Sequence, residues 1–258
     1  MTVRISTGLR NHMLGGGSFK DAFEGGRMEV YSGTQPASAD SAVAGTLLCT
    51  FTDNAGSWTA ETPASGSVAL TGGSSGSIDD ITIDGVSILD TVVAYNTSLS
   101  QTAADLAAAL NASATNKDWI ASANSATVTL TARPGRGARF NGLTLATTAT
   151  TITKTDSNPS GGAASVNGLK FDAPANGSIS KRAGQTWSGT AAASGSAGWF
   201  RLYGPATDAG GADAAGTKLR YDGAIATSGA QLNVSSTSIT KDAVQTISTF
   251  APTMPAQP

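Results

Sequence analysis

The stretch GWFRLYGP, residues 198–205, sets Trp199, Phe200, Arg201 and Tyr203 close together in a chain whose aromatic share is only 6%. In extended backbone the side chains alternate, so Trp199, Arg201 and Tyr203 share one face while Phe200 and Leu202 share the other. Both faces then carry bulk, as a central strand requires. No acid, base or nucleophile stands beside the aromatics, and two rings spaced by two with an arginine between suit cross-strand stacking. Trp199, Phe200, Leu202 and Tyr203 are therefore read as a core strand. A subunit interface through Trp199 and Tyr203 is the alternative.

The same texture extends outward from this strand. VNGLKFDAP, NGSISKR, QTWSGT, TKLRYDGAIA, QLNVSSTSIT and AVQTISTFAPTMP are short strand-like runs with turn residues about every ten positions, as in sandwiches and barrels. RMEVYSG, GTLLCTFT and GSWTAE repeat it near the start. Before them lie two short helical turns. Thr7 can cap the first, with Leu9 and Met13 on one face, and Ser18 with Asp21 resembles a capping box ahead of the Phe19/Phe23 pair.

The middle follows a different logic. SIDDITIDGVSIL reads as a hairpin around Asp84-Gly85. LSQTAADLAAALNAS reads as a helix capped by Ser100, with Leu106 and Leu110 on one face. WIASANSATVTLTAR and LTLATTATTITKT supply further strands around the loop PGRGARFNG. The expected fold is mainly β: a β-sandwich-like domain made by both chain ends, residues 1–66 and 163–258, with an inserted small α+β (β-β-α-β-β) module at 76–156. Residues 67–75 and 157–162 are expected to be linkers, because both are rich in Gly and Ser. Three domains in series is the competing arrangement.

Composition narrows the function. Of 258 residues 13% are charged, about half the usual share, and the formal net charge is −2. Such a chain lacks the concentrated Lys and Arg that general nucleic-acid or anionic-membrane binding needs. Neither an N-terminal apolar region of signal type nor an apolar run near 18 residues is present in the sequence. Cys49, the single cysteine, sits among strand-like residues and reads as a buried inert thiol.

Few residues are candidates for chemistry. His12 is the sole histidine, which rules out metal sites built from several His or Cys ligands. Asp79, Asp80 and Asp84 offer oxygens to a hard cation, yet strand alternation parts the first two and the turn claims the third. The glycines of GGGSFK and RPGRGARF lack the spacing of a phosphate loop. Arg133, Arg136 and Arg139 read as a solvated hairpin loop or as a contact for an acidic partner surface. Glu24, Glu29 and Glu61 are the only glutamates, none in an aromatic-rich setting suited to glycoside hydrolysis. No enzyme activity, cofactor or metal is expected.

Two stretches, ISTGLRNHMLGGGSFKDAFEGGRMEVYSGTQPASADSAVAGTLL and the later pair GWFRLYGPATDAGG and LRYDGAIATSGAQLNVSSTSITKDAVQTISTF, resemble a family of small virion proteins encoded among the structural genes of tailed bacteriophages. The resemblance covers both chain ends and skips the middle, which is similar to small add-on modules of phage tail and adhesin-like proteins. It implies a non-enzymatic virion component assembled in the host bacterial cytoplasm. A decoration or minor protein on the head surface is the first expectation, and a collar, neck or tail-surface component the second. Its expected partners are other virion proteins, in a symmetric homo-oligomer. Leu9, Met13, Phe19 and Phe23 are candidate contacts with a neighbouring subunit or the particle, packing over their own sheet being the other reading. A displayed carbohydrate- or receptor-binding module, stacking sugar on Trp119, Tyr95 or Phe140, is a third possibility. Pro252, Pro255 and Pro258 are expected to end the last strand.

Overall fold

The computed structural model describes residues 3–252, so Pro255 and Pro258 lie outside the described residues. The protein is mainly β, with antiparallel sheets predominating. It divides into two compact units: Met1–Glu61 with Ser165–Pro258, and Thr62–Ala164.

The first unit begins with β1 (Arg4–Ile5), α1 (Thr7–Leu14), α2 (Phe19–Phe23), β2 (Arg27–Ser32) and β3 (Leu47–Asp53). The second contains β4 (Ser65–Gly72), β5 (Ser77–Ile83), β6 (Val86–Ser87), β7 (Val93–Ala94), α3 (Leu99–Ala112), β8 (Trp119–Asn124), β9 (Thr127–Ala132), β10 (Leu145–Thr150) and β11 (Thr153–Ser160). A 3-10 turn, Gly137–Phe140, precedes β10. The chain then returns to the first unit with β12 (Trp187–Thr190), β13 (Gly195–Tyr203), β14 (Arg220–Ala226), β15 (Leu232–Asn233), β16 (Ser238–Ile239) and β17 (Val244–Ile247).

In the first unit a nine-stranded sheet runs β1-β14-β13-β2-β3-β12-β17, with β15 beside β14 and β16 beside β13. GWFRLYGP lies on β13, antiparallel to both β2 and β14, and Trp199, Phe200, Leu202 and Tyr203 are each fully buried. They form a core strand, as read. Phe200 and Leu202 join Met28, Val30, Leu9, Phe23, Phe171 and Trp187 in one apolar cluster.

The two N-terminal helices pack into that cluster. Ser6, rather than Thr7, caps α1 by accepting from Leu9 N, because the Thr7 hydroxyl donates to Asp40 Oδ2 at 2.7 Å. Ser18 accepts from Asp21 N as expected, and the Phe19 and Phe23 ring centroids are 4.7 Å apart. Pro252 ends no strand directly, since β17 stops at Ile247. Its carbonyl instead accepts from Ile179 N at 3.2 Å.

The second unit is richer in strands than the β-β-α-β-β expectation. It forms two four-stranded sheets, one built on β10-β5-β6 with β7 beside β5, the other running β11-β4-β9-β8. The expected linkers are the main correction. Ser67 to Gly72 belong to β4 and Ser157 to Ser160 to β11, and the two strands pair with each other. Small residues there had suggested a linker, but Val68 and Leu70 alternate inward from them and bury the strand.

Asp84 (φ 49°) and Gly85 (φ 78°) make the hairpin turn between β5 and β6, as read. Helix α3 starts two residues earlier than expected on Ser98, whose extended backbone lets its hydroxyl accept from Gln101 N at 3.1 Å. Leu106 and Leu110 are fully buried against both sheets' apolar residues, including Val68, Ile81, Val128 and Leu130.

Candidate functional site

The second face of β13 carries the densest polar chemistry of the first unit. Alternation along β2 places Arg27, Glu29 and Tyr31 on one side, and register aligns them with Tyr203, Arg201 and Trp199. On the other flank β14 sets Arg220 opposite Tyr203 and Asp222 opposite Arg201, and β1 sets Arg4 opposite Asp222. One row therefore reads Glu29, Arg201, Asp222, Arg4, with charge alternating from strand to strand.

The pairs are close. Arg201 holds Asp222 with two bonds of 2.7 Å, both side chains at 0% exposure, and Arg220 holds Asp208 in the same bidentate way. Arg27 Nε donates to Glu29 at 2.8 Å, and its guanidinium lies between the Trp58 and Tyr203 rings at 4.5 and 4.4 Å. Tyr31 donates to Glu29 and stacks on Trp199 with centroids 4.7 Å apart.

Further guanidinium donors reach two loops that cover this face, residues 33–46 and 204–219. Arg4 donates to Gln35 O, Arg27 to Asp208 O and Arg201 to Ser41 O. Arg220 donates to both Ala39 O and Gly211 O. The loops also bond to each other, Val43 N to Gly210 O and Asp213 N to Asp40 O. Four arginines thus pin two irregular segments by their backbone carbonyls, which supplies the polar partners that buried loop backbone needs.

Burial sets the protonation of this layer. The Tyr203 hydroxyl is pushed up to about 12 by burial first and by Glu29 next, and the same two causes drive Tyr31 upward. Burial also acts to raise Asp208, but the Arg220 hydrogen bonds and the Gly210 N–H outweigh it and hold the carboxyl below its ordinary value. Burial works against the Arg201 charge, and Asp222 more than offsets it. Burial raises the Asp222 carboxyl against the pull of Arg201, and two polar atoms of the layer, Arg27 Nη1 and Trp199 Nε1, are buried without a hydrogen-bond partner.

Of the two readings of the N-terminal helices, contact with a neighbour or packing over their own sheet, burial follows the second for Leu9 and Phe23. Leu9 and Phe23 have 0% exposure, so as subunit contacts they are corrected to core residues. Met13 and Phe19 are partly buried against the same cluster. The cause is the fixing of α1 at its start, where Asp40 accepts from both Thr7 N and Thr7 Oγ1.

In the second unit Arg136 pairs with Asp118 at 2.6 Å, Arg133 is half-buried, and Arg139 is exposed with its guanidinium 5.8 Å from the Phe140 ring. Only part of the arginine trio is therefore available as a basic surface. Trp119 and Phe140 stack on each other at 5.1 Å inside the core, at 2% and 8% exposure, which removes both as a sugar platform. Tyr95 is half-buried and donates to Thr97 O.

The carboxylates read as cation candidates each have a neighbour. Asp79 accepts from Ser77 and Thr150, Asp80 from Ser87, and Asp84 from Thr144 N. Cys49 is buried on β3 with its thiol pushed up to about 12 by that burial. His12 Nε2 lies 3.2 Å from Ser18 O, at the junction of the two helices.

One concavity of about 250 Å³ opens in the first unit. Its floor is Val30, Phe51, Ile225, Leu232 and Ile247, and its rim carries Asn233, Ser235, Gln245 and Thr246. No charged side chain lines it. No family model, curated protein or solved structure matches the chain.

Sequence reasoning recognised β13 but missed its ionic partners. The signal was present in RMEVYS, where Arg27, Glu29 and Tyr31 alternate with Met28 and Val30. Asp208 sits in an irregular loop and left no periodic trace.

Proposed function

We propose that the protein is a non-enzymatic structural component of a tailed-phage virion, most simply a decoration or minor protein on the head surface. The observation that carries this reading is the closure of both chain ends into one sheet around β13, with the second unit inserted between Glu61 and Ser165. Those two ends are the stretches that resemble the virion family. An anchoring unit that holds a second unit for display is the division of labour this implies.

The chemistry of the first unit supports a scaffold. Its charged side chains on β13 and β14 are spent on carboxylate–guanidinium pairs and on loop carbonyls, with Arg201 and Asp222 at 0% exposure. A face locked in this way serves rigidity, and rigidity suits a repeated particle component. A collar, neck or tail-surface position is the second reading, resting on the same two-unit construction.

Cryo-electron microscopy of particles carrying this chain tests the proposal. Density repeated over the head lattice supports decoration, and a single ring or set of spikes at the neck or tail supports the second reading. Purified particles without the chain overturn both.

A further inference from the structure

The sequence contains three Asn-Gly pairs, Asn141-Gly142, Asn167-Gly168 and Asn176-Gly177. Glycine after asparagine leaves its backbone nitrogen sterically open to attack the asparagine side-chain carbonyl, because glycine has no Cβ. The structure treats the three pairs very differently.

Asn141 is clasped. Its Nδ2 donates to Gly162 O at 2.8 Å, its Oδ1 accepts from Gly162 N at 2.8 Å, and the attacking nitrogen, Gly142 N, donates to Pro159 O at 2.7 Å. Asn167 donates to Ser57 O at 2.9 Å, and its own carbonyl accepts from Asp53 N. Gly168 is packed so tightly that a Cβ there would lie 2.2 Å from Gly25 O. Asn176 and Gly177 form the exposed tip of a two-residue hairpin, with φ of 51° and 71°. Among the described residues nothing bonds the Asn176 side chain, and the tip is closed by two backbone bonds, Ala175 N to Ser178 O and Ser178 N to Ala175 O.

We propose that Asn176 is a site of spontaneous deamidation, and that its product loosens the hairpin that holds residues 250–252. When the tip opens, Gly177 N attacks Asn176 Cγ. The Cγ–Nδ2 bond breaks, the amide proton leaves with the side-chain nitrogen as ammonia, and a five-membered succinimide closes. Water then adds to one of the two ring carbonyls and opens the ring to aspartate or isoaspartate. The step consumes one water, releases one ammonia and changes no oxidation state.

The consequence follows from what the hairpin holds. Ile179 N donates to Pro252 O at 3.2 Å, Lys181 N to Phe250 O at 2.9 Å, and Ser178 Oγ to Pro252 O at 3.3 Å. Isoaspartate routes the main chain through the side-chain carbon and adds an atom to a turn whose geometry has room for two residues. The register that presents Ile179 and Lys181 to the last described residues is then lost.

The test is to age the full chain in mildly alkaline buffer and map deamidation by peptide mass spectrometry, with the urea-unfolded chain as the reference for intrinsic rates. In the folded chain Asn176 is expected to convert at least about tenfold faster than Asn141 or Asn167, because its tip is closed by two backbone bonds alone while the other two side chains are held by bonds of their own and must be released before attack. The unfolded chain should bring the three rates together. Hydrogen exchange at Ile179 and Lys181 should accelerate in the aged wild type and stay unchanged in aged Asn176→Gly, which keeps a turn that tolerates positive φ. Conversion at Asn141 or Asn167 as fast as at Asn176 overturns the site, as does an intact Asn176 under conditions that modify the unfolded chain. Unchanged exchange after conversion overturns the consequence.

Discussion

The two units bury polar groups by different means. In the unit made from both chain ends the buried polar side chains include Arg27, Arg201, Asp208, Asp213, Arg220 and Asp222, whereas in the inserted unit they are Thr102, Asn116 and Thr147. The buried polar side chains of the inserted unit are neutral, and its carboxylates that meet backbone N–H groups, such as Asp84 and Asp90, lie outside that buried set. Asn111 exchanges two bonds with the Ala121 backbone along β8, and Asn116 bonds both Leu110 O and Trp119 N. An amide is enough where one short edge or helix end needs a partner. The first unit must hold two long irregular loops over a sheet face, and a guanidinium, with its five donors, can bind a carboxylate and loop carbonyls at once.

This difference predicts different weak points. Asp222→Ala leaves Arg201 buried without its carboxylate and should cost about 4 kcal/mol. Hydrogen exchange resolved by unit checks it, with protection lost across β13 and β14 and kept in α3. The joint change Arg201→Met with Asp222→Leu should recover most of the loss, since a buried pair is often replaceable by apolar side chains. No recovery would mean that the ion pair fixes the loops in a way that apolar packing cannot.

The reciprocal change is Leu106→Ala, which should cost about 3 kcal/mol by cavity formation in the inserted unit. The expected exchange pattern is the reverse, with β2, β13 and β14 protected. Coupled loss in both units would break the comparison.

Alkaline pH sharpens it without mutation. Tyr203 and Tyr221 are each raised by burial from 10 to about 12, so the stability they contribute is complete below pH 10 and is lost as pH rises toward 12. For Tyr203 alone this amounts to about 2–3 kcal/mol. Phenolate absorbance should therefore rise together with exchange in the first unit, ahead of any loss in the second. The smallest effect is expected at the helix cap: Ser98→Ala should cost about 1 kcal/mol and fray only the first turn of α3, while Ser100→Ala should cost less.

The pattern of success in reading the sequence follows from the range of each interaction. Asp84-Gly85, the α3 leucines and the β13 alternation are local signals, each decided within a few residues. The caps were missed by one or two positions because neighbouring hydroxyls compete: Thr7 turned to Asp40, 33 residues away, leaving Ser6 to cap. The linkers were misread because Ser and Gly mark loops by composition, while a strand needs only every second residue to be apolar, as Val68 and Leu70 show. Leu9 and Phe23 were left open between core and contact, since an amphipathic turn does not say which surface it will meet.

By itself, then, the sequence determined a mainly β protein, a distinct central segment with one helix, and a core strand at GWFRLYGP, because periodicity and turn chemistry are written along the chain. Tertiary structure alone decided that Arg201 meets Asp222 and Arg220 meets Asp208, and that their spare donors pin residues 33–46 and 204–219. It also decided that Trp119 and Phe140 face each other rather than solvent. Those outcomes depend on strand order and register between segments up to about two hundred residues apart, and no local pattern encodes register between distant strands.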